Sequence, residues 1–163
     1  YDRYPYDDSC RAYSDDNTTR LHYYISREVR PCGGLYYYRQ HEASVTHKAG
    51  LRHFDYLRAN ESMRRQLIDL GVGDDVLRRY ENQRWLVLVD CWRFYFIHRQ
   101  RMTPHDRRVA RAEMKRVWKT IDTTTLEPRN KWKLGYMPLR PSWRLFCLQE
   151  KLYFTLKRWL RRL

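Results

Sequence analysis

From about Ala49 onward the apolar residues recur three and four positions apart with few breakers between them, and this period limits the fold more than any other feature of the sequence. Leu51, Phe54 and Leu57, then Met63, Leu67 and Leu70, share a stripe that stops at Gly71, which predicts one helix or a broken pair. Asp74 can cap a longer helix carrying Leu77, Tyr80, Val87, Leu88, Cys91 and Tyr95 on one side. Residues 85–97 are apolar enough to imitate a buried strand, but the length and the lack of breakers favour helix. Thr103-Pro104 is a cap followed by proline at the first helical position, and Ala110, Met114, Val117, Trp118 and Ile121 continue that helix. Residues 122–142 hold three consecutive Thr, Pro128, Gly135, Pro138 and Pro141, a helix-breaking composition that reads as a basic connector; Ser142 then opens a final helix.

Before Ala49 the pattern is different. Residues 1–14 are rich in Tyr and Asp without a period and read as a loop. Ser14-Asp15-Asp16-Asn17 is a cluster of N-cap types, so a helix is expected to start there, with Leu21, Tyr24, Ile25 and Val29 at helical spacing until Pro31. Gly33-Gly34 supplies a turn, and Leu35-Tyr36-Tyr37-Tyr38-Arg39 favours a strand. The expected class is therefore mostly α, with a small α/β N-terminal segment followed by a helical C-terminal region. Three segments follow from it: 1–48, 49–127 and 128–163.

The chain carries 33 Lys and Arg against 19 acidic residues, a formal charge of +14, which attracts phosphates, nucleic acid or anionic lipid without choosing among them. The excess is uneven: residues 1–17 hold five Asp against Arg3 and Arg11, whereas residues 128–163 hold ten Lys or Arg against Glu150 alone. Cys10, Cys32, Cys91 and Cys147 are scattered with no CxxC pair, which points to reduced, cytosolic thiols and away from a zinc site or disulfide framework. The densest apolar run, Trp85 to Ile97, contains Asp90 and Arg93 and is too short to span a bilayer.

Residues 13–47 read YSDDNTTRLHYYISREVRPCGGLYYYRQHEASVTH. An acidic pair opening a helix, a strand close to YYYRQ and a following Ser/Thr stretch resemble the bacterial family 2 glycosyltransferases of GT-A fold, over roughly residues 1–50. The resemblance implies an inverting transfer of sugar from a nucleotide-sugar donor to a hydroxyl of a cell-surface glycan or lipid-linked acceptor. It also implies that a strand-rich nucleotide-binding half with a DxD motif, holding a divalent cation (Mn or Mg), precedes Tyr1. Asp7-Asp8 and Asp74-Asp75 are adjacent pairs and not DxD, so neither is assigned to metal. The family writes Glu-Asp where this chain has Ser14-Asp15; Asp15 thus aligns with the expected catalytic base, Ser14 replaces the expected Glu, and Asp16 is the alternative.

Chemistry supports the same pair. Inverting transfer needs a base to take the acceptor hydroxyl proton, and a carboxylate at a helix N-terminus is favoured in the ionised form that the task requires. For an arbitrary Asp-Asp before a helix plain N-capping is the commoner explanation, and it is the surrounding motif that turns the reading toward a base. By the same resemblance Arg39 and Gln40 are candidate substrate contacts, Arg39 through a bidentate bridge to phosphate, and His41 is a candidate metal ligand; Tyr36, Tyr37 and Tyr38 read first as strand formers, but strand alternation points Tyr37 away from the other two and makes it a further candidate contact. His47 and His53 are weaker candidates, and Ser44 and Thr46 are read as turn hydroxyls.

The last helix places Leu145, Leu148, Leu152, Leu156 and Trp159 along one broad face widened by Phe146, Phe154 and Leu160, with Arg144, Lys151, Lys157, Arg158, Arg161 and Arg162 on its flanks. This is the form of an interfacial helix that contacts an anionic membrane surface, and an ordinary packed helix has the same pattern; the resemblance, with its lipid-linked acceptors, implies a cytoplasmic protein held on the inner face of the plasma membrane. Two rival readings remain. Trp and Tyr interleaved with Arg over 78–118 suit nucleic acid, but no helix-turn-helix, zinc-finger or RNP pattern accompanies them, so nucleic acid is not an expected partner. Alternatively the helices form a non-catalytic docking or homo-oligomerisation module.

Overall fold

The computed structural model describes residues 6–8, 12–35, 37, 50–139 and 142–160. The helical expectation holds: α1 (Asp15–Ile25), a 3-10 turn (Leu51–Phe54), α2 (Asp55–Asp69), α3 (Asp74–His98), α4 (Pro104–Thr120), α5 (Pro128–Trp132) and α6 (Trp143–Trp159) follow in chain order. No β-strand occurs among the described residues, so the small α/β segment expected near the N-terminus is corrected. Leu35 and Tyr37, the described members of the expected strand, are both exposed and have no regular structure. A β-propensity run forms a strand only where a neighbouring strand satisfies its backbone, and among the described residues there is no strand to pair with them.

The helix boundaries follow local chemistry. Thr103 caps α4, its Oγ1 accepting from the Asp106 N–H at 3.1 Å, with Pro104 at the first position, a cap worth about 1 kcal/mol. Ser142 caps α6 in the same manner, accepting from the Arg144 N–H at 3.1 Å. The stripe over 51–70 is a broken pair, the 3-10 turn running into α2, and it ends where Gly71 adopts φ +64°. At α3 the N-cap is Gly73 and not the expected Asp74; Asp74 and Asp75 lie in the first turn, where negative charge meets the positive end of the helix dipole. α1 stops at Ile25, short of Pro31, because Leu21 is the apolar residue of its stripe that finds a core, while Tyr24, Ile25 and Val29 lie in solvent.

α3 is the centre of the molecule and packs against α2, α4 and α6. That placement explains the apolar run over 85–97: Trp85, Leu88, Val89, Trp92, Tyr95 and Phe96 are all buried, since neighbours cover the helix on several sides. Ala110, Met114, Val117 and Trp118 of α4 and Phe146, Tyr153 and Phe154 of α6 complete this core. Trp85 also donates its indole N–H to the Tyr136 carbonyl at 2.7 Å, tying the connector to α3. Gly135 crosses α6 with φ +80°, and a Cβ there would fall inside the Tyr153 ring. A second, smaller core of Leu21, Met63, Leu67 and Val72 holds α1 on α2.

Buried charge also shapes the bundle. Arg84 is 2% exposed, and its guanidinium meets Glu81 at 2.9 Å and the Thr120 hydroxyl at 2.7 Å; Glu81 in turn accepts from Arg64 and from the Asp122 backbone N–H. Glu150 on α6 is fully buried, with one carboxyl oxygen 3.3 Å from the Gln149 amide and the other without a hydrogen-bond partner among the described residues. Burial pushes its pKa up to about 8, so it is protonated at neutral pH.

Candidate functional site

Asp15 and Asp16 occupy the first turn of α1, with both side chains exposed. The turn is fixed by polar contacts at its base. The buried Asn17 amide donates to the Ala59 carbonyl of α2 and to the Asp7 carboxylate, both at 2.7 Å, and the Thr18 hydroxyl accepts from the Asp7 N–H at 2.9 Å. Immediately before the helix, Tyr13 adopts φ +70°, which costs a non-glycine residue on the order of 1 kcal/mol and needs compensation. Its ring supplies it by stacking on Tyr56 of α2 at 3.5 Å between centroids.

The start of α1 is thereby set against an aromatic cluster. His53 meets Tyr56 edge-on at 5.6 Å and stacks on Phe94 of α3 at 3.7 Å, and Phe94 contacts His98 at 4.4 Å. Burial raises the Tyr56 phenol, and the Asp16 and Asp90 charges raise it further, so both carboxylates lie within electrostatic reach of that ring. Burial lowers the His53 pKa, opposed by Asp90, so the imidazole is neutral at pH 7. Its Nε2 lies 3.9 Å from Asp90, too far for a hydrogen bond, and has no partner among the described residues. A neutral imidazole, two phenols and several carboxylates thus share one corner, a set able to grip hydroxyl groups and move protons.

The two candidate bases differ. Asp16 forms an i,i+4 ion pair with Arg20 at 3.7 Å, whereas the Asp15 carboxylate has no ion-pair partner among the described residues. Tyr37 is 85% exposed and makes no contact with this corner, and Arg39, Gln40 and His41 lie outside the described residues. Among the described residues no group of three or more His, Cys, Asp and Glu is placed to hold a metal ion. Cys32, Cys91 and Cys147 are free. Tyr13, Tyr56, Asp90 and His53 carry no site motif in the sequence; their convergence joins residues about 40 positions apart, which local spacing does not reveal.

α6 requires a correction. The expected single apolar face is two faces: Phe146, Tyr153 and Phe154 point inward with Gln149 and Glu150, while Leu145, Leu148, Leu152, Leu156, Trp159 and Leu160 are exposed. Trp159 is 78% exposed. Of the expected flanking cations, Arg144 and Lys151 are exposed, but the Lys157 ammonium lies over Tyr153 at 5.0 Å and the Arg158 guanidinium over Phe96 at 4.6 Å, so these two are turned toward the body. Arg161 and Arg162 lie outside the described residues. Among the described residues no helix is long and apolar enough to cross a membrane. No protein-family pattern, curated protein or solved structure matches the chain.

Proposed function

We propose that this chain is the C-terminal, acceptor-side part of an inverting sugar-nucleotide glycosyltransferase. The observation that carries the reading is the exposed Asp15 in the first turn of α1, which has no ion-pair partner among the described residues and follows two positions after Tyr13, whose ring stacks on Tyr56. In this reading Asp15 takes the proton from the attacking acceptor hydroxyl, Asp16 is held by Arg20, and the aromatic corner lies against the C–H face of the acceptor sugar. The described residues do not supply a ligand set for the divalent cation that the family resemblance implies. The nucleotide-sugar site belongs to the half expected upstream of Tyr1, and the 163 residues alone are expected not to transfer sugar.

Assay of the gene's complete product with nucleotide-sugar donors tests this. Asp15→Asn is expected to lower kcat by 10²–10⁴-fold, the usual weight of a general base, with the donor KM little changed, while Asp16→Asn has a smaller effect. Equal activity of Asp15→Asn and wild type sinks the assignment.

The outward leucine face of α6 supports a second element of the reading, a peripheral position on the cytoplasmic face of an anionic membrane, beside a lipid-linked acceptor. Flotation with phosphatidylglycerol vesicles is expected to recover the wild type and to lose Leu148→Glu/Leu152→Glu; recovery of that variant at the wild-type level refutes it.

A further inference from the structure

α4 and the first turn of α6 enclose an open groove of about 670 Å³ that is remote in sequence from the acidic corner. Its charged walls are Arg111, Lys115 and Lys119 of α4 and Arg144 of α6, and among the described residues no carboxylate lines it. Trp118 and Trp143, in T-shaped contact at 5.6 Å, form its apolar side. Arg111, Lys115 and Arg144 have no carboxylate partner among the described residues; the Arg111 guanidinium rests on the Cys147 thiol. Because Ser142, Trp143 and Arg144 all line the groove, the N-terminus of the 17-residue α6 opens into the same space and adds the positive end of its dipole.

Arg111, Lys115 and Arg144 bring three like charges to one groove without a carboxylate partner among the described residues, which makes the groove attractive to an anion, and the residue types narrow which anion. Two guanidiniums offer paired donors in a fork that matches phosphate oxygens, and two ammoniums add mobile point charges able to follow a second phosphate. The indoles supply an apolar wall for whatever the phosphate is attached to.

We infer that the groove between α4 and α6 is a binding site for a phosphate-bearing ligand, held by Arg111, Lys115, Lys119 and Arg144. The site is independent of the glycosyltransferase reading and of the leucine face of α6. Its ligand is either a soluble phosphate ester or the headgroup of an anionic lipid, which share this chemistry.

Two probes separate the sources: inorganic pyrophosphate, titrated calorimetrically at 150 mM salt, and vesicles of phosphatidylcholine with and without phosphatidic acid. The test variant is Lys115→Glu/Arg144→Glu; the control is Arg65→Glu/Arg79→Glu, which changes net charge equally at exposed positions away from the groove. Saturable pyrophosphate binding that falls at least tenfold in the test variant and less than threefold in the control supports a soluble phosphate ligand. Phosphatidic-acid-dependent vesicle binding with the same variant pattern, without pyrophosphate binding, supports a lipid headgroup. In either case the Trp143 indole N–H resonance is expected to shift on addition of the probe that binds. Equal weakening of both variants shows only the general attraction of a +14 chain, and no saturable binding of either probe leaves no site; both overturn the inference.

Discussion

α4 carries the same residue types on two sides and uses them in opposite ways. Toward α2 and α3, cations are neutralised: Arg116 bonds Glu61 at 2.5 Å and Glu113 at 2.8 Å, Glu113 also takes Arg58 at 3.1 Å, and Thr120 joins the buried Arg84–Glu81 pair. Toward α6, Arg111 and Lys115 meet no carboxylate among the described residues. The first side gains order from closed, hydrogen-bonded pairs. The second leaves a field that acts on molecules from outside. A basic protein is therefore not uniformly basic: Glu61, Glu81 and Glu113 pair with cations between helices, which leaves the cationic excess where such pairing is missing.

The comparison is broken or sharpened first at Glu81. Glu81→Gln leaves the Arg84 guanidinium buried without its counter-ion, and urea unfolding is expected to show a loss of about 3–5 kcal/mol. At the half-exposed Arg116, replacement by Ala is expected to cost about 0.5–1 kcal/mol, because solvent screens that pair. Smallest of all, Lys115→Glu/Arg144→Glu is expected to change stability by less than about 0.5 kcal/mol or to raise it slightly, since it relieves repulsion among exposed cations. A loss there as large as that of Glu81→Gln would mean that the groove cations hold the fold together, and the contrast between the two sides would fail.

The sequence made some of this visible. Ser14-Asp15-Asp16-Asn17, Thr103-Pro104 and Ser142 announced helix starts that the structure contains, because capping chemistry is local. The acidic pair was legible for the same reason, being a feature of one helix turn. Its surroundings were not: Tyr13 meets Tyr56, and His53 meets Phe94, only once α1, α2 and α3 pack. On α6 two sets of residues share the helical period, so the spacing joined Phe146 and Phe154 to the face of Leu145, Leu148, Leu152 and Leu156. The rings of Phe146, Tyr153 and Phe154 bury more area each and fit against Trp85, Trp118 and Phe96, which turned them inward with Gln149 and Glu150 and left the leucines outside.

Turning α6 in that direction also placed Glu150 in the core, and this makes folding a proton-uptake reaction. Between the ordinary carboxyl pKa of 4.5 and its folded value of about 8, the unfolded chain has released the proton that the folded chain keeps. The stability contributed by this group is complete below the lower value and is lost as pH rises through the window, so the protein is expected to weaken toward mildly alkaline solution. Glu150→Gln is expected to flatten that slope, and refolding of the wild type at pH 7 in different buffers is expected to show heats that vary with the ionisation enthalpy of the buffer supplying the proton.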